Sequence, residues 1–229
     1  TLANYTFDGW FTAATGGTQV NFTTEEFKAD TTLYAQWKPV AYTVTFNGNG
    51  GNWSGNLTQE VKTTDDTWTI AKPADPTRAN SPNTNKPYQF DGWFTAAEGG
   101  SAVNVNQPFM QDTTVYAHWT LLGVDYEING KTLHFYGSGS MPDTAYGSTA
   151  PWANAANVAG VTSVVIDEGI LNVGNYAFSD ISTLTSASIP GSVKTIGDSA
   201  FAECRGLPSL PIPEGVATIG AGAFSSCTN

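Results

Sequence analysis

Two histidines, two cysteines and a scatter of paired carboxylates are the side chains of this 229-residue chain best suited to acid–base, metal or redox chemistry. His118 and His134 fall in predicted strands, with no second His, Cys or patterned carboxylate close by in sequence. A zinc site wants three or four nitrogen, sulfur or carboxylate ligands, so neither histidine reads as a metal ligand or a catalytic base. Gly137-Ser-Gly-Ser-Met141 lacks the final glycine of a nucleophile elbow. Asn47 to Asn52 has the glycines and asparagines of a calcium loop but none of its carboxylates, and reads as a tight turn. Glu25-Glu26 and Asp65-Asp66 are sequence neighbours. Neighbours on a strand point to opposite faces, whereas a glycosidase needs two carboxyls facing each other across a cleft. The sequence thus supports no catalytic residue, no metal and no cofactor, and it is not read as that of an enzyme.

Cys204 and Cys227 occupy the same place in successive repeats. Adjacent rungs of a stacked coil bring Cα atoms to about 5 Å, inside the disulfide range. The matching residue one repeat earlier is Ile181, which marks a core position, so two reduced, buried thiols are expected. Trp10 and Trp93 suggest a sugar-stacking platform, but both recur inside F-D-G-W. Core packing is the expectation, since Trp is highly buried on average. Trp53 and Trp68 have no counterpart elsewhere in the chain and stay open as stacking residues.

The formal net charge is −11, with 9 Lys and Arg against 20 Asp and Glu. The excess is even: residues 1–119 hold 6 basic and 11 acidic side chains, and residues 120–229 hold 3 and 9. No basic stripe exists to neutralise phosphates, so nucleic acid is not an expected partner. No run of about 18 apolar residues exists either, so no direct membrane insertion is expected. Twelve Pro and 24 Gly favour short strands and turns over long helices.

The elements that must carry these residues come from two internal repeats. Tyr5 to Trp37 reads Y-T-F-D-G-W-F-T-A-A-T-G-G, then D-T-T-L-Y-A-Q-W; Tyr88 to Trp119 reads Y-Q-F-D-G-W-F-T-A-A-E-G-G, then D-T-T-V-Y-A-H-W. In this frame His118 takes the place of Gln36. The second copy has a front half that the first lacks: an alternating strand, Tyr42-Thr-Val-Thr-Phe46, and a turn at Asn47-Gly-Asn-Gly-Gly51. Residues 41–119 therefore read as a whole unit, and 1–38 as the back half of one. A half unit exposes a sheet edge, so 1–38 is expected to be partly mobile or paired with another chain. Val44-Thr-Phe-Asn-Gly-Asn-Gly-Gly51, Lys72-Pro-Ala-Asp-Pro76, Phe90-Asp-Gly-Trp93 and Asp112-Thr-Thr-Val-Tyr-Ala-His-Trp119 resemble the Listeria–Bacteroides repeat family of surface proteins. That resemblance implies small β-grasp-like modules in tandem. Arg78 to Pro87 departs from it and is expected to enlarge a surface loop.

After residue 160 the period becomes 23 residues. Gly174, Gly197 and Gly220 recur with Ala177-Phe178, Ala200-Phe201 and Ala223-Phe224, in frame with Val161-x-x-Val164-x-Ile166, Leu184-x-x-Ala187-x-Ile189 and Leu207-x-x-Leu210-x-Ile212. Apolar residues at the first, fourth and sixth places point inward, and stacked coils then share aliphatic and phenylalanine ladders. Ile189-Pro-Gly-Ser-Val-Lys-Thr-Ile-Gly-Asp-Ser-Ala-Phe201 resembles the BspA-type leucine-rich repeat, a type found mainly in bacterial surface proteins, several of them adhesins. Residues 120–160 hold a hairpin with an Asn129-Gly130 turn, then Ala150-Pro-Trp152 and a short helix, and read as the cap a solenoid needs. Similar segments precede many BspA-type arrays. The chain stops one residue before the next expected leucine, so the array is expected to continue.

The fold expected is mainly β: a partial module (1–38), a complete β-grasp-like module (41–119), a hairpin cap (120–160) and a truncated leucine-rich solenoid (161–229). Outward strand residues Ser163, Val165, Ser186, Ser188, Ser209 and Pro211 are the candidate ligand-facing set. They suit a protein or glycan on a host or neighbouring cell, bound by an extracellular or surface protein whose β modules form a stalk. A structural spacer, or an accessory region of a larger extracellular enzyme, are the rival readings.

Overall fold

The computed structural model describes residues 1–27, 29–63, 65–145, 152, 158 and 160–228. The chain packs as two compact units, Thr1–Thr77 with Gly92–His118, and Arg78–Asp91 with Trp119–Asn229. It is built from strands.

In the first unit, β1 (Tyr5–Phe11) and β2 (Tyr34–Pro39) form a two-stranded antiparallel sheet whose register slips between Phe7 and Gly9. Gly9 makes that bulge at φ +135°, and its copy Gly92 stands at φ +123°. A side chain at either place would be strained, which is why the tryptophan of F-D-G-W follows glycine in both copies. Strands β3 (Thr43–Asn47), β4 (Thr58–Lys62), β5 (Tyr88–Phe94) and β6 (Thr113–Leu121) line up as β4-β3-β6-β5. β3 pairs antiparallel with β4 and parallel with β6. First and last strands thus lie side by side in the middle, the β-grasp order, with no helix in the crossover among the described residues. The distal ends of β5 and β6 belong to the second unit.

Alternation in Thr-Val-Thr-Phe-Asn sends Val44 and Phe46 inward, both fully buried, against Val115 and Ala117 of β6. Phe46 meets Trp93 edge-on at 4.7 Å, and Trp53 stacks on the same indole at 6.0 Å. Trp53 also donates its Nε1–H to the Ala74 carbonyl at 2.6 Å. Trp68 donates to the Val40 carbonyl and packs edge-on to Tyr5. The two open stacking candidates are therefore engaged in the fold. Asn49 clamps the Asn/Gly turn by donating to the Ala97 and Ala117 carbonyls. His118 takes a structural place too, stacked on Phe94 at 3.9 Å with Nε2 on the Ala96 carbonyl. Gln36 bonds the matching Ala13 carbonyl in the other copy.

The second unit is a capped solenoid. Its strands are β7 (Val124–Asn129), β8 (Thr132–Gly137), β9 (Gly139–Ser140), β10 (Ser163–Ile166), β11 (Ile170–Val173), β12 (Ser186–Ser188), β13 (Thr195–Ile196) and β14 (Thr218–Ile219). They form two sheets, β12-β10-β8-β7 and β14-β13-β11-β9. Apart from the antiparallel β7–β8 hairpin the pairings are parallel, and β8 and β9 supply the first rung of each ladder. The phenylalanines align as the 23-residue period requires: Phe135 to Phe178 is 5.5 Å, Phe178 to Phe201 5.0 Å, and Phe201 to Phe224 5.6 Å. Phe178 and Phe201 are fully buried. The repeat glycine follows from close packing: a Cβ on Gly197 would stand 2.5 Å from Asn175 Oδ1.

Both thiols are free, and each donates to a carbonyl one coil back, Cys204 to Phe178 and Cys227 to Phe201. Cys204 is buried, and burial pushes its thiol up to about 12; Cys227 is half-buried. Trp152 is buried against Tyr126 and Phe135 and donates to the Ala177 carbonyl. The rest of Ala150-Pro-Trp152 and most of the short helix expected after it lie outside the described residues.

Arg78 to Pro87 does more than enlarge a surface loop. Within the second unit it closes over the hairpin, where buried Asp125 accepts backbone N–H bonds from Thr84 at 2.9 Å and Asn83 at 3.4 Å. Asn83 and Thr84 side chains donate in turn to the Tyr126 and Val124 carbonyls. The phenol of Tyr136, held above its ordinary value by burial and then by the Asp125 charge, donates to Asp125 as well. A buried carboxylate needs several such donors to be tolerated.

Candidate functional site: the outer strand face of the solenoid

Period-two alternation decides which side chains reach solvent. In β10, Val164 and Ile166 turn inward while Ser163 and Val165 turn out. In β12, Ser186 and Ser188 are exposed around inward-leaning Ala187. In β8, Leu133 and Phe135 are buried, leaving Thr132 and His134 outside. The parallel register then sets Thr132, Ser163 and Ser186 in one row, and His134, Val165 and Ser188 in the next. The hairpin adds Asn129 opposite Thr132 and Glu127 opposite His134. Two rows, polar except for Val165, thus run across four strands, roughly 15 Å at sheet spacing.

Ser209 and Pro211 do not join these rows. Both are exposed but stand outside any strand. The reason is chemical. Thr185 donates its N–H to the Thr162 carbonyl one coil back. The residue matching Thr185 in the next coil is Pro208, which has no N–H, and Pro211 takes the place of Ser188. Proline cannot continue a ladder.

One cluster on this face was not evident in the sequence. His134 Nε2 lies 2.9 Å from Asp167 Oδ1, and Nδ1 lies 3.4 Å from Glu127 Oε1. Partial burial disfavours the charged imidazole, but the hydrogen bonds to Asp167 and Glu127 and their charges outweigh it and raise the pKa of His134. Glu127, Asn129, Thr132, His134 and Val165 line a shallow groove of about 320 Å³. The hairpin signal alone does not find it: the loop is Gly130-Lys131, with Asn129 paired to Thr132, and this register sets Glu127 opposite His134, whereas the Asn129-Gly130 loop expected from the sequence would have set Glu127 opposite Thr132. Asp167 is set beside them by the β8–β10 register, 33 residues away. No group of His, Cys, Asp and Glu among the described residues is arranged to hold a metal ion. No helix among the described residues is long and apolar enough to cross a membrane.

The first unit presents a different surface. Phe7, Trp10 and Tyr34 of the β1–β2 sheet are 49%, 42% and 39% exposed. Core packing, expected for both F-D-G-W tryptophans, is met by Trp93 at 4% exposure and not by Trp10. Among the described residues β2 pairs only with β1, whereas β6 pairs with β3 as well as β5.

Comparison with known proteins agrees with both repeat types. Residues 1–36 and 42–118 match the family described as Listeria-Bacteroides repeat domain, and residues 155–229 match the BspA type leucine rich repeat region in six copies. Among curated proteins, the chain is 35% identical over 123 residues to Internalin H of Listeria monocytogenes, covering 52% of this chain and 20% of that protein. A putative membrane protein of Evansella cellulosilytica is 27% identical over 141 residues, covering 61% and 19%. The chain thus spans about a fifth of the length of these relatives. Among solved structures, a leucine-rich repeat protein from Eubacterium ventriosum aligns over 42% of this chain and 31% of its own, at 23% identity and a TM-score of 0.37. One from Bacteroides ovatus aligns over 31% and 24%, at 26% identity and a TM-score of 0.25. The chain joins Listeria-Bacteroides repeats to a BspA-type leucine-rich repeat region.

Proposed function

We propose that the chain is a non-catalytic part of a bacterial cell-surface or secreted protein, and that it mediates adhesion or ligand binding through the outer strand face of its solenoid. The β modules serve as its stalk. The observation that carries this reading is the pair of rows over β7, β8, β10 and β12, polar except for Val165, regular in register, backed by core, and bearing a groove. Concave or flat strand faces of repeat solenoids are surfaces that partners use. The relationship to a protein named Internalin H supports a surface location for the parent. The domain organisation proposed with it is 1–38, 41–119, 120–160 and 161–229, with the hairpin as cap.

The test is binding of the whole chain to host-cell surfaces and to glycan and protein arrays, with and without Ser186→Glu and Ser188→Glu. Loss of binding in the double variant, with unchanged thermal unfolding, supports the face. Unchanged binding overturns it. A structural spacer is the second reading, favoured by how shallow the groove is, and it predicts no binding on either array.

A further inference from the structure

We propose that Glu127, His134 and Asp167 form a docking site for a cationic side chain, an arginine or lysine carried by a basic polypeptide segment, with His134 as its pH gate. The inference rests on the strand face being a binding surface and names the chemistry that face selects.

The lining dictates the sign of the ligand. When ionised, Glu127, which lines the groove, and Asp167, which bonds His134 of the lining, can only accept hydrogen bonds, and their side chains are 54% and 45% exposed. No Lys or Arg lines the groove, and the one lining group that can become cationic, His134, then donates to Asp167 and Glu127, which leaves an anion no free donor among charged side chains. Val165 also lines the groove, an aliphatic surface on which the methylene stem of Arg or Lys can lie while its head reaches the carboxylates. No Phe, Tyr or Trp is among the groove's lining residues to stack a pyranose ring, which disfavours a neutral sugar.

The imidazole then competes with the ligand. A protonated His134 donates from both nitrogens, one to Asp167 and one to Glu127, and satisfies both carboxylates itself. A neutral His134 has one N–H and leaves one carboxylate unpaired. The groups facing the ring are Glu127 from β7, Asp167 from the turn after β10 and the Tyr136 ring at 5.8 Å on its own strand; β12 brings only serines. Charge on the site therefore changes with one proton. Cation binding strengthens as pH rises through the histidine titration and weakens as it falls.

The experiment is calorimetric titration of the whole chain with hexa-arginine, hexa-lysine, hexa-glutamate and a neutral β-linked oligosaccharide, at pH 5 and pH 8 and constant ionic strength. The basic peptides are expected to bind about tenfold more tightly at pH 8, as two partly exposed ion pairs permit. Glu127→Gln with Asp167→Asn removes that gain. His134→Gln keeps the pH 8 affinity and flattens the pH dependence. Glu25→Gln with Glu26→Gln, a remote control, leaves both unchanged. Equal weakening by the remote pair assigns the effect to net charge and overturns the proposal, as does preference for the oligosaccharide. Surface binding separates the two readings. If Ser186→Glu with Ser188→Glu abolishes it and Glu127→Gln with Asp167→Asn does not, the cation site falls and the face stands; if neither pair moves it, both fall.

Discussion

Residues 5–37 and 88–119 carry nearly the same sequence in two surroundings. Phe-Asp-Gly-Trp-Phe-Thr-Ala-Ala begins in a strand in both, with glycine at nearly the same positive φ, the value that accompanies the bulge at Gly9 in the first copy. Yet Trp93 is 4% exposed and Trp10 42%, and Val105 is 7% exposed where the first copy has Phe22 at 59%. The strand and its glycine φ are local properties of the repeat. Burial is not; it comes from β3 and the Trp53 turn, which reach Trp93 from some 40 residues upstream. Identical residues therefore contribute unequally to stability, and the difference lies in what covers them.

That contrast sets an order of expected effects. Trp93→Ala should cost about 3–5 kcal/mol in denaturant unfolding, as loss of a large buried aromatic does, while Trp10→Ala should cost about 1 kcal/mol because much of its surface already meets water. Equal costs would break the comparison. Phe46→Ala, which uncovers Trp93 without touching it, should also cost about 3–5 kcal/mol and bring Trp93 fluorescence to the emission of an exposed indole. A smaller effect sharpens the assignment toward Trp53 as the main cover. Gly9→Ala and Gly92→Ala test the local half of the claim: both force a positive φ on a side chain, and each should cost about 1–2 kcal/mol. A Cβ on Gly9 would also clash with the Gln19 amide, where one on Gly92 meets nothing, so the Gly9 variant should cost the more, and a larger cost at Gly92 would show that the backbone strain is not local. The mildest effect is in hydrogen exchange. β2 has one partner strand and β6 two, so β2 amides should exchange faster under native conditions.

The same distinction explains what the sequence disclosed. The β ladders and the phenylalanine spine were legible because they repeat, and a 23-residue period with Phe178, Phe201 and Phe224 in phase leaves few ways to bury those rings. Ser163, Val165, Ser186 and Ser188 followed from alternation alone. Ser209 and Pro211 were placed in the same frame, but the backbone chemistry of Pro208 and Pro211 outweighed the side-chain pattern. The Asp125 latch was illegible, since it joins a non-repeated loop to a hairpin 41 residues on through backbone donors. His134 looked solitary because its partners lie 7 and 33 residues away. Only the cross-strand register brings them to it.

The prolines at 208, 211 and 213 have an effect beyond the missing rung. An open sheet edge with free donors invites another chain to add a strand, the first step toward fibrous association. Stripped of three amide hydrogens within six residues, this boundary offers an incoming strand little to bind. The coil can keep its hydrophobic spine going on one side, through β13 and β14, while its polar side stays insulated against sticking to its own kind.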